Sequence, residues 1–223
     1  MEIPVNKSIL AANEDIAAAN RHFLHQRGIY AVNLISSPGA GKTTLLERTV
    51  ATLGPEIPLA VIEGDIETSL DADRVRRHGA PAVQINTAGN CHLDARMVRE
   101  GLAQLDLDGV KLVLIENVGN LICPAGFDLG EHEKVVLVSV TEGEDKPPKY
   151  PHIFLESAAM IINKIDLLPY CDCDLAKLKE GALRINPRLR VFEVSCRTGE
   201  GLEKWYAWLR QQVAQSEPAE AGG

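Results

Sequence analysis

The stretch Ser36-Ser37-Pro38-Gly39-Ala40-Gly41-Lys42-Thr43-Thr44 restricts this chain more than any other feature, because of what lies on either side of it. An apolar run, Tyr30 to Ile35, precedes it, and a helical pattern, Thr43 to Leu53, follows. The stretch fits the phosphate-loop template G-x-x-x-x-G-K-[ST], with Ser36 standing where the first glycine is usual. Gly39 and Gly41 let the backbone wrap closely around phosphates, so that the N–H groups from Gly39, Ala40, Gly41 and onward to Thr44 point inward at a helix N-terminus. Lys42 is placed to reach the β- and γ-phosphates, and the Thr43 hydroxyl to bind Mg²⁺.

A strand feeding such a loop and helix implies a parallel sheet, and the rest of the chain repeats the alternation. Further strand candidates are Leu59 to Glu63, Ala82 to Asn86, Leu112 to Ile115, Val135 to Val140, Ala159 to Asn163 and Leu189 to Val194. Most are continuous apolar runs rather than alternating ones, as expected where helices cover both faces of a sheet. Helical candidates between them are Leu70 to His78, Leu93 to Ala103, Leu175 to Ile185 and Gly201 to Gln212, and one more precedes the first strand, Asn6 to Arg27, stopped by Gly28. The fold class is α/β, a doubly wound, mostly parallel sheet of P-loop NTPase type with an N-terminal helix. We divide the chain into an N-terminal helical segment (1–28), a nucleotide-binding domain (29–213) and a tail (214–223) whose small, polar, Pro- and Gly-containing composition predicts disorder.

A net charge of -8 excludes a nucleic-acid partner built on clustered cations. No apolar stretch approaches the ~20 residues needed to span a bilayer. The first residues, MEIPVNKSIL, lack a signal-peptide pattern, and five dispersed cysteines suit reduced thiols in the cytoplasm better than a disulfide framework.

The base is read from Asn163-Lys164-Ile165-Asp166, at the end of an apolar strand. A carboxylate at Asp166 can accept from both N1–H and the exocyclic amine of guanine, a donor pair that adenine lacks. Asn163 is expected to tie this loop to the P-loop, and the Lys164 stem to lie over the ring. A second base loop, Ser195-Cys196-Arg197, follows the next strand, with Cys and Arg where GTPases usually carry Ala and Lys. Glu116-Asn117-Val118-Gly119 occupies the position of the usual Asp-x-x-Gly. There Glu116 orients the magnesium shell, alongside Thr43, and the Gly119 N–H senses the γ-phosphate. Asp65, after the second strand, is a candidate for the outer magnesium shell or for water positioning, and equally a turn or helix-capping residue. No Gln stands out as a water-orienting residue, so slow intrinsic hydrolysis is expected.

Cys91-His92 and Cys123 fall on loops after strands, at the edge where doubly wound sheets bind ligands, and Cys123 lies just beyond the nucleotide-sensing segment. Taken singly, each is more often a buried small hydrophobe or a satisfied imidazole than a ligand, and the spacing C-H…C is by itself a weak signal. Together their thiolate and imidazole donors suit nickel or zinc far better than magnesium, and a second chain could complete the coordination across a twofold axis. Cys171 and Cys173 receive no role.

The segments SSPGAGKTT, GDIETSLDADR, NTAGNCHLDA, ENVGNLICPA, FDLGEHEKVVLVSVTEGEDKPPKYP, NKIDLLPY and SCRTGEGLEKW resemble the hydrogenase nickel-incorporation GTPases, the HypB family, over about residues 30 to 210. The resemblance implies a GTP-promoted homodimer that hydrolyses GTP to GDP and supplies nickel to the large subunit of [NiFe]-hydrogenase, together with a HypA-like zinc-binding accessory protein. It also implies that Cys91, His92 and Cys123 hold nickel or zinc, and that a Lys of the 146–151 segment, carried over as Lys149, approaches the nucleotide of the neighbouring subunit. The chain departs from some members in having no N-terminal Cys-x-x-Cys-Gly-Cys segment and no His-rich tract. A urease-type nickel accessory GTPase is the nearest alternative, but its Glu-Ser-Gly-Gly and Cys-Pro-His motifs are missing. Other readings are a non-catalytic metal carrier whose nucleotide only stabilises a dimer, and a P-loop small-molecule kinase, for which Asn163-Lys164-x-Asp166 has no purpose.

Overall fold

In the computed structural model, which describes residues 5–65 and 79–216, seven parallel strands form one sheet. In chain order they are β1 (Tyr30–Ser36), β2 (Leu59–Asp65), β3 (Ala82–Asn86), β4 (Leu112–Glu116), β5 (Glu133–Ser139), β6 (Ser157–Asn163) and β7 (Arg190–Glu193). In space the order is β3-β2-β4-β1-β5-β6-β7, every pair parallel. The helices are α1 (Val5–Gln26), α2 (Lys42–Leu53), α3 (Ala95–Gln104), a single turn α4 (Lys146–Lys149), α5 (Pro151–Glu156), α6 (Leu175–Ile185) and α7 (Leu202–Ser216). None of the described helices is long and apolar enough to cross a membrane. The helix expected over 70–78 and most of the tail lie outside the described residues.

Side-chain alternation along each strand feeds two apolar layers. Val32, Leu34, Val61, Leu112, Leu114, Val135 and Leu137 pack against α2 and α7, where Trp205 is fully buried. Its indole N–H donates to Thr49 Oγ1 at 3.1 Å, so the polar edge of the ring is satisfied inside the core. On the opposite face Ala31, Ile62, Val113 and Ile115 meet Leu24 of α1 and Val98 of α3, while Val136, Val138, Met160 and Ile162 meet Phe154 of α5 and Leu178 of α6.

The N-terminal helix is fastened to this body by polar as well as apolar contacts. Asn20, 2% exposed, donates to the carbonyls of Ala95 and Leu129, both at 2.8 Å, and Arg21 pairs with Asp128 at 2.7 Å. Gly130 lies against this helix, and a Cβ there would sit 2.6 Å from the Ala17 carbonyl oxygen. Two short helices, α4 and α5, were not anticipated. Their prolines occupy first-turn positions, where no intrahelical N–H is needed, so a Pro-rich segment reads as loop although it starts helices.

Candidate functional site

The C-terminal ends of β1, β2, β3, β4, β6 and β7 carry the loops that the sequence singled out, and the parallel order brings these loops to one edge. Gly39 and Gly41 hold positive φ (73° and 103°), the left-handed backbone that the P-loop turn requires. A Cβ at Gly41 would run into the Asn163 amide. Asn163 is itself 1% exposed: its Nδ2 donates to the Ala40 carbonyl at 2.9 Å, and its Oδ1 accepts from Lys164 N (2.7 Å) and Cys196 N (3.1 Å). One side chain thus joins the P-loop to both base loops. Lys164 adopts αL backbone (φ 63°), and its ammonium donates to the Gly39 carbonyl at 2.7 Å. Ser195 Oγ donates to Asp166 Oδ1 at 2.6 Å and accepts from Thr198 N–H at 3.1 Å, which orients the carboxylate that would face a guanine edge. Arg197 presents its carbonyl, not its guanidinium, to the site's frame, since Arg48 donates to the carbonyls of Cys196 and Arg197 at 3.0 Å each. Cys196 is 3% exposed, and burial pushes its thiol up to about 12, so it fills space as a small apolar group.

Around the phosphate position a cleft is lined by Pro38, Gly39, Lys42, Thr43, Glu63, Asp65, Glu116 and Gly119 among others. Lys42 Nζ donates to Ser36 Oγ at 2.9 Å, a contact that the serine in place of the usual first glycine makes possible. Thr43 Oγ1 donates to Glu116 Oε1 at 3.0 Å. A hydroxyl beside a carboxylate on the floor of a phosphate cleft is an all-oxygen donor set, the kind that magnesium takes. Asp65 ends β2, half-buried on the same wall. Gly119 lies against the loop so closely that a Cβ would stand 3.1 Å from Pro38 Cα.

Two of the acid and base groups here belong to no nucleotide-binding motif in the sequence. Glu63, 2% exposed, lies in register with Glu116 on the neighbouring strand and shares its cleft; a carboxylate closing an otherwise apolar strand was the available signal. Lys146 approaches Ser37 Oγ at 3.5 Å, held by Glu142 at 3.2 Å and placed over the Tyr150 ring. Lys149 instead turns to the surface and pairs with Asp145. Within one chain, then, Lys146 and not Lys149 is the cation of this segment at the P-loop.

Beside this cleft the ligand atoms of Cys91, His92 and Cys123 all lie within 4.8 Å of one another. Cys91 Sγ is 3.6 Å from His92 Nδ1. Hydrogen bonding to Cys123, then burial, holds the Cys91 thiol above the usual range. The His92 ring lies against Phe127, centroids 3.9 Å apart, and burial lowers its pKa, leaving neutral imidazole, the ligating form. Two sulfurs and a nitrogen form a soft donor set that fits nickel or zinc and not magnesium. Asn120 and Phe127, which support this cluster, went unremarked in the sequence because no spacing rule marks them.

A parallel sheet, a phosphate loop joined through Thr43 to Glu116, and a base loop ending in Asp166 define a P-loop GTPase. Residues 30–193 match the family model described as CobW/HypB/UreG, nucleotide-binding domain. Hydrogenase maturation factor HypB of Rhizobium leguminosarum bv. viciae is 52% identical over 213 residues, covering 96% of this chain and 71% of that protein. The crystal structure of hydrogenase maturation factor HypB from Archaeoglobus fulgidus superposes with a TM-score of 0.86 at 44% identity, over 92% of this chain and 100% of that one. HypB from Helicobacter pylori in complex with nickel gives 0.87 at 35% identity, over 95% and 100% of the two chains. This chain belongs to the HypB family of hydrogenase maturation factors, within the CobW/HypB/UreG GTPases.

Proposed function

We propose that this chain is a nickel metallochaperone that hydrolyses GTP slowly and delivers nickel during [NiFe]-hydrogenase maturation. The juxtaposition of Cys91, His92 and Cys123 beside the segment that follows Glu116 carries this reading, because it sets a soft-metal site against the nucleotide sensor. Nickel is the substrate in this scheme; the solved relative in complex with nickel supports that choice over zinc, which the same donors would accept. Lys42 and the loop amides bind the phosphates, Asp166 and Ser195 select guanine, and Gly119 reports the γ-phosphate. Thr43 and Glu116 would hold magnesium, which would supply neutralisation of the phosphate charge. The chain works as a GTP-promoted homodimer in the cytoplasm, with a HypA-like accessory protein and the hydrogenase large subunit as partners.

The test is nickel titration of the wild-type chain and of the Cys91→Ala/Cys123→Ala double variant, with GTP affinity measured in parallel. Loss of nickel binding with GTP binding retained is the expected result. Equal nickel affinity in the two proteins would defeat the assignment.

A further inference from the structure

The segment that follows β4 is attached on both sides, and the attachments alternate along it. Glu116 accepts the Thr43 hydroxyl, and Gly119 lies against Pro38, so these two residues face the nucleotide loop. The asparagines next to them face the metal loop. Asn117 Oδ1 accepts from the Leu93 N–H at 3.1 Å, immediately after His92, and from its neighbour Val118 N–H at 3.0 Å. Asn120 Nδ2 donates to the Cys91 carbonyl at 3.3 Å, while its Oδ1 accepts from the Ile122 N–H at 2.9 Å, immediately before Cys123. One asparagine therefore holds the far side of the Cys91-His92 pair, and the other spans the backbone beside both thiols.

Asn117 is also fixed from behind. Its Nδ2 donates to Asn33 Oδ1 at 3.2 Å, Asn33 Nδ2 donates to Glu131 Oε1 at 3.1 Å, and Glu131 Oε2 accepts from Leu129 N–H at 2.6 Å. Asn117 and Asn33 are 1% and 0% exposed, so water has no access to replace a bond that opens. Such a side chain can move with its backbone or stay in its network, but any intermediate position leaves buried polar atoms unpaired. That is the property required of an element with two discrete arrangements.

We propose that Asn117 and Asn120 are the positioning residues that transmit nucleotide state to the spacing of Cys91, His92 and Cys123. A displacement of Gly119 on meeting or losing a γ-phosphate shifts Asn120 by its chain neighbour's motion, and with it the backbones of Cys91 and Ile122. This inference rests on the nickel reading above and adds the residues through which the two sites communicate.

The experiment measures the nickel dissociation constant by competition with a chromophoric chelator, once with GDP and once with a non-hydrolysable GTP analogue. The quantity read is the ratio of the two constants, for wild type, Asn120→Asp and Asn117→Ala. Asn120→Asp is nearly isosteric and keeps the acceptor for Ile122 N–H but removes the donor to Cys91; its added charge acts on nickel in both nucleotide states, so it largely cancels in the ratio. A ratio of about fivefold or more in wild type, falling close to one in both variants while GDP affinity stays at the wild-type value for Asn120→Asp, is the expected result. A purely structural clasp would weaken nickel binding equally with both nucleotides and leave the ratio intact, which would overturn the proposal. A wild-type ratio of one would overturn it too, but through failure of the coupling itself. Retained nickel binding that is lost on Cys91→Ala would then show that the metal assignment survives independently.

Discussion

At the scale of single residues, chemistry rather than pattern decides what each group does. Asp166 lies with one oxygen on the Ser195 hydroxyl, so its Asn variant keeps the shape but turns half of an acceptor pair into a donor. We expect Asp166→Asn to weaken GTP binding by ~10²-fold or more and to improve binding of xanthosine nucleotides, measured by fluorescent-nucleotide competition. Cys196 gives a second test. Its thiol is buried and raised to about 12, whereas Cys91 is exposed. At about pH 8 the thiolate fraction of Cys196 is negligible and reagent has no path to it. Iodoacetamide should label Cys91 in the folded chain and Cys196 only after unfolding, as read by peptide mass mapping. The identity of such residues was legible in the sequence wherever a motif fixed their spacing. Partnerships such as Lys146 with Ser37, or Asn33 with Asn117 and Glu131, span sequence separations that no local pattern encodes.

Among the elements, strands were the most legible because burial on both faces makes them continuous apolar runs, and their observed limits differ from the expected ones by a residue or two. The polar fastening of α1 was not legible. Asn20 looks like any surface residue of an Ala-rich helix, yet it satisfies two carbonyls, one at the start of α3 and one in the loop before β5. Asn20→Ala leaves both without their donor in a dry interface, at a cost of ~2–3 kcal/mol, which chemical denaturation would measure; a change within error of zero would show that water replaces the amide. Arg21 and Asp128 add a pH-dependent part. Burial alone would raise the Asp128 carboxyl, but the Arg21 guanidinium and the Gly130 amide outweigh it and hold it below the ordinary carboxylate range. A lowered folded-state value means stability that is present above the unfolded-state value and lost as pH falls through the folded one. Arg21→Met should therefore lower stability at neutrality, by ~1 kcal/mol at most for a half-exposed pair, and leave the acid end unchanged, so that the stability curve falls less steeply below about pH 4.

For the molecule as a whole, the strand order β3-β2-β4-β1-β5-β6-β7 explains why widely separated motifs share one edge: all strands point the same way, so all their following loops meet. The architecture could be read from the alternation of strand and helix signals, while the contact between the metal loop and the nucleotide segment could not, since it depends on how β3 and β4 flank β2. If GTP promotes dimerisation, light scattering should show the mass rising towards twice that of one chain with a GTP analogue and not with GDP; an unchanged mass would remove the homodimer from the proposed cycle. The sheet order also bears on synthesis. Strand β1, which carries the phosphate loop, lies between β4 and β5 in the sheet of the described residues, and those begin at Leu112 and Glu133. On the ribosome the first strand must therefore wait, unpaired and apolar, until the middle of the chain has emerged. Over that interval of some seconds the strand beneath the phosphate loop lacks both neighbours, so guanine nucleotide can stabilise the site only after residues 112–139 have emerged.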